Sequence, residues 1–140
     1  MSDFVKPELS SKNQYHLNRH RYYELKHFCL QYPFWKKQLN DLAYIPGGIK
    51  PFVGNKYAVQ NPTATLAEKR AILSENIRIV ESAAKLTDPF LAPYILKHVT
   101  EGGTYETINA QMHIPCNREY YYRLYRRFFW ILDSLNLHLL

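Results

Sequence analysis

Within CNREYYYRLYRRFFW, residues 116–130, arginines and tyrosines alternate with almost nothing else. Arginine can grip guanine edges or phosphate oxygens, asparagine pairs with adenine and glutamate accepts from cytosine, so such a run suits contact with a nucleic acid. The same spacing also suits a core helix with a solvated basic edge. At 100° per residue, Tyr121, Leu124, Tyr125, Phe128, Ile131, Leu132 and Leu135 fall on one apolar face. Glu119, Tyr122, Arg123, Arg126, Arg127 and Trp130 collect opposite it, with Arg118 at the margin near the helix start. That division assigns most of the aromatic residues to structure and leaves the arginines for function.

The helix needs a partner to present it. Upstream, Thr104 is placed to cap a short helix, YETINAQM, and HIPCN breaks it before the long helix of about Asn117 to Leu135. Before that, Asp88-Pro89 opens a helix of about three turns that stops at Gly102-Gly103. A supporting helix, a short helix, a break and a longer basic helix give the layout of a helix-turn-helix. In this layout Asn117, Arg118, Glu119 and Tyr122 occupy base-reading positions, and Thr104, Arg123, Arg126 and Arg127 are the phosphate-binding set.

The rest of the chain is expected to be helical as well. TLAEKRAILSENIRIVESAAKL carries a capping box at Thr65 and Glu68 and a stripe of Leu66, Leu73, Ile77, Val80 and Ala84, predicting a long central helix. Such a stripe marks a core face; a dimer seam is the alternative, although three heptads are short for a coiled coil. RYYELKHFCLQY places Tyr22, Leu25, Phe28, Cys29 and Tyr32 at helical spacing up to Pro33, and Phe34, Trp35, Gln38, Leu39 and Leu42 resume it. The expectation is an all-α fold: an N-terminal helical module over 1–44, a loop or linker over 45–64, and a C-terminal helix-turn-helix module over 65–140. Residues 1–14 read as an arm leading into the first helix.

Composition narrows the functions. The chain has 140 residues and a formal charge of +6, with a pI near 9.3, which favours polyanionic partners. The charge is uneven: +4 over residues 1–40, +2 over 41–100 and zero over 101–140. Two distant cysteines, Cys29 and Cys116, make neither a zinc ribbon nor a disulfide framework. His16 and His20 stand four apart but lack a third ligand. With no phosphate-binding glycine loop, nucleophile elbow or metalloprotease motif, the expectation is a protein that is not an enzyme, with no metal and no cofactor. Neither a membrane-length apolar run nor a signal-peptide core is visible, so a cytoplasmic home is expected.

TYETINAQMHIPCNREYYYRLYRRFFWILDSL resembles the helix-turn-helix of sigma factor region 4, and in particular the small late-gene regulators of phages and prophages of the ArpU and RinA-like group. The resemblance covers about residues 90–135; His113 stands where a glycine is common in the turn. It implies sequence-specific binding of double-stranded DNA for transcription regulation in a bacterial host cell, with host RNA polymerase as a second partner and a monomer or homodimer rather than a ring. Two other readings stay open: a phage small terminase subunit binding DNA for packaging, and a protein-binding inhibitor or adaptor without DNA binding.

Overall fold

The computed structural model describes residues 14–43 and 62–136. Among them it is all helical: α1 (Arg19–Leu30), α2 (Tyr32–Ala43), α3 (Pro62–Thr87), α4 (Ala92–Glu101), α5 (Tyr105–Met112) and α6 (Arg118–Asn136). The expected arm lies almost wholly outside the described residues, as does the expected connector apart from 62–64, which belong to α3.

α3 is the central helix, lying against α2, α4 and α6. Its expected stripe is seated as far as it reaches the core: Ile77, Val80 and Ala84 are buried, while Leu66 and Leu73 are half-buried. Ile79 and Ala83 are buried too, because α3 faces neighbours on more than one side. The helix starts earlier than the Thr65–Glu68 box implies. Pro62 occupies its first position, where a missing N–H costs nothing, so Thr65 lies inside the helix rather than at its cap.

At the N-terminal end, the Asn18 side chain accepts from the N–H groups of His20 and Arg21 and so starts α1. Gln31 closes it, and Pro33 falls in the first turn of α2 rather than after a helix end. Tyr22, Leu25, Cys29, Tyr32 and Trp35 are buried, but Phe34, expected on the apolar side of α2, is 59% exposed. Instead of forming a core of their own, α1 and α2 share one hydrophobic cluster with α3, α4 and α6. The Tyr32 hydroxyl donates to the Glu81 carboxylate and ties α2 to α3.

Asp88 does not start α4 directly. Its carboxylate accepts from the N–H groups of Phe90 and Leu91, shaping a turn, and the helix begins at Ala92 with Pro93 in its first turn. The helix stops at Gly102 (φ 83°), and Gly103 (φ 100°) follows with a second left-handed backbone. A Cβ at Gly103 would lie 2.6 Å from Thr107 Oγ1, so that position is closed to side chains on two grounds.

Candidate nucleic-acid interface

The expected capped helix, break and long helix are present at α5 and α6. Thr104 caps α5: its hydroxyl accepts from Thr107 N–H at 3.2 Å while Thr107 Oγ1 accepts from Thr104 N–H at 2.8 Å. At the far end, His113 adopts the left-handed conformation (φ 56°), filling with histidine the place where such turns favour glycine. Asn109 Oδ1 accepts from Ile114 N–H at 2.8 Å, and Ile114 turns into the core. The break from 113 to 117 is thus fixed at both edges.

Ile108 is the one buried residue of α5, so tyrosines supply much of its attachment to α6. Tyr105 donates its hydroxyl to Cys116 O at 2.7 Å, and its backbone N–H donates to the Tyr122 hydroxyl at 3.1 Å. The second bond satisfies a donor that the first turn of a helix otherwise leaves open. The Tyr105 and Tyr121 rings meet at 5.4 Å. Beneath them lies His98 of α4, whose Nε2 faces Gly103 O at 3.1 Å and whose Nδ1 faces the Tyr121 hydroxyl at 2.8 Å. A carbonyl can only accept, so Nε2 carries the proton and Tyr121 donates to Nδ1. One buried imidazole therefore joins α4, the Gly-Gly reversal and α6.

That role requires a neutral ring. Burial lowers the His98 pKa and the charge of Lys26 lowers it further, while the Gly103 carbonyl pulls the other way; the net direction is down. The unfolded chain protonates this histidine near about pH 6.5, the folded protein only at lower pH. Its contribution to stability is complete above that value and is lost as the pH falls towards the folded pKa. Urea midpoints taken at about pH 7.5 and pH 5.5 should show the decrease, and a His98→Gln variant should show less of it.

The sequence-expected contact residues divide into several groups. Asn117 is committed as the cap of α6, its Oδ1 accepting from Tyr120 N–H at 2.8 Å. Tyr122 is half-buried and bonded to α5, so it braces the helix pair. Arg118 is exposed, held between Glu106 (3.1 Å) and the face of Tyr122 (5.3 Å to the ring centroid). An exposed ion pair of this kind is worth at most about 1 kcal/mol, so a stronger acceptor can displace Glu106. Glu119 and Arg123 are exposed on the same outer face. Thr104 is exposed, with its hydroxyl engaged in the cap.

Arg126 and Arg127 are more enclosed than an ideal helix wheel suggests: both are half-buried, with their Nε atoms out of solvent. At Arg127 the segment before α1 contributes, because it crosses α6 there. Tyr15 packs on Trp130 with ring centroids 5.5 Å apart, and its hydroxyl lies 3.4 Å from Arg127 Nη1. Arg21 pairs with Asp133 and with Glu24. No local pattern announces the Tyr15–Arg127 and Arg21–Asp133 contacts, because their partners stand more than a hundred residues apart in the chain.

Among the described residues, no cluster of three metal-ligating side chains occurs and no helix is long and apolar enough to cross a membrane. Cys29 is fully buried, and burial pushes its thiol pKa up, away from a reactive thiolate. The chain matches no protein-family model, no curated protein and no solved structure.

Proposed function

We propose that this protein binds double-stranded DNA through α5 and α6 and regulates transcription, in the manner of the phage late-gene regulators that its C-terminal sequence resembles. One observation carries the reading. Of the charged residues of α6, the exposed ones, Arg118, Glu119 and Arg123, all stand in its first two turns beside a capped break, whereas Arg126, Arg127 and Asp133 are half-buried. The C-terminal half is packed against α1 and α3 and crossed by Tyr15. A helix-turn-helix presents the same end of its second helix to the major groove.

Arg118 is the base reader in this arrangement, with Glu119 beside it. Arg123 and Arg127 hold phosphates on either side, and Arg126 adds to the field. Asn117 and Tyr122 act at one remove, by fixing the start of α6 and its angle to α5. Contact with host RNA polymerase would use surfaces away from this face.

Binding of fluorescent duplexes across a salt series tests the reading. With two to three arginines on phosphates, log K should fall by about 2 to 3 units per tenfold rise in salt. Failure to bind any duplex at low salt would remove the proposal.

A further inference from the structure

The basic surface of α6 does not end at α6. Tyr15 lies on Trp130 and reaches Arg127, Leu17 is buried in the shared core, and Arg21 pairs with Asp133. Residues 15 to 21 are therefore pinned at three points, Tyr15 and Arg21 to the second half of α6 and Leu17 to the core. Between the second and third pins, Arg19 and His20 are exposed.

The carboxylates at this junction are already spent. Asp133 and Glu24 both pair with Arg21, which offsets one of their two charges and holds both carboxylates on its guanidinium. What remains outward is a positive surface from two elements: Arg19 from the start of α1, and Arg123 and Arg127 from α6. The first backbone N–H groups of α1 are taken by Asn18, so the attraction comes from side-chain charge. Arg127 is half-buried and held, which lowers the entropy lost when it takes a phosphate.

We infer that the lead-in to α1 and the arginines of α6 at positions 123 and 127 form one phosphate-binding surface, on which Arg19 is a DNA contact and Tyr15 anchors the lead-in that carries it. The inference rests on α6 binding duplex DNA as proposed above. A helix whose first turns lie in the major groove carries its later turns past the bordering sugar–phosphate backbone, and the lead-in would follow that strand outward. The charge of Arg19 then belongs to the same partner as the arginines of α6.

Duplex binding is measured for the parent, Arg19→Ala, Arg19→Lys, Tyr15→Ala, the Tyr15→Ala/Arg19→Ala pair, and Arg123→Ala. Arg19→Ala should weaken binding about three- to tenfold and lower the salt slope by about one unit. Arg19→Lys should keep most of the slope. Tyr15→Ala, which removes no formal charge, should produce at least a comparable loss, since it also frees Arg127, and the pair should lose less than the sum of the two. If Arg123→Ala weakens binding while Arg19→Ala leaves affinity and slope at the parent's values, the inference fails and the role of α6 stands. If Arg19→Ala weakens only association with an acidic protein such as RNA polymerase, the surface belongs to that partner and the inference fails. A parent that binds no duplex overturns the reading of α6 and this extension together.

Discussion

Replacing Phe129 by alanine should lower the stability of the protein by about 3 to 5 kcal/mol, the range for removing a fully enclosed aromatic ring. Phe129 is 1% exposed and meets Tyr22, Tyr125 and Phe128 edge-on, with centroids 5.0 to 5.1 Å apart. It is where α1 meets α6, through the Tyr22 ring. A domain of this size has about 5 to 15 kcal/mol in total, so the variant would sit near the edge of folding. A lower urea midpoint with unchanged slope checks this. Phe34→Ala, at a residue 59% exposed, should stay within about 0.5 kcal/mol of the parent.

Phe129 also marks how far spacing alone could reach. An angular test centred on Tyr121 finds Leu124, Tyr125, Phe128 and Leu132, all of which are buried. The expected face leaves out Phe129, although it stands at the edge of the same arc, as far from Tyr121 on one side as Ile131 on the other; it is the more deeply buried of the two because α6 is flanked by both α1 and α3. The caps at Thr104 and the stop at Gly102-Gly103 were legible because cap chemistry is local. The Thr65–Glu68 box was local as well, yet misleading, since Pro62 can open a helix one turn sooner.

The candidate site was legible in its residue types more than in their roles. Asparagine before a basic helix can pair with adenine or cap the helix, and here the cap claims its oxygen. Tyr122 lay on the polar side by angle but reaches the first N–H of α5. The Tyr15–Trp130 and Arg21–Asp133 contacts depend on tertiary packing, which periodicity does not encode.

The second large effect is expected at the front of α6. Arg118 and Arg123 are exposed, and Arg118 makes an exposed ion pair with Glu106, so truncating both should leave folding within about 0.5 kcal/mol of the parent. DNA binding should suffer far more. Loss of a base contact costs about 1 to 3 kcal/mol on the preferred site, and a lost phosphate contact removes about one unit of salt slope. Together they should weaken specific binding by at least about a hundredfold, with Arg118→Ala relaxing sequence preference and Arg123→Ala weakening all duplexes alike.

The most direct measurement is therefore the affinity of the Arg118→Ala/Arg123→Ala variant for the duplex that the parent prefers, alongside the urea midpoints of both proteins. A fall of about a hundredfold or more in affinity with matching midpoints is the result expected if α6 is the DNA-reading helix. Equal affinity for the same duplex would contradict it.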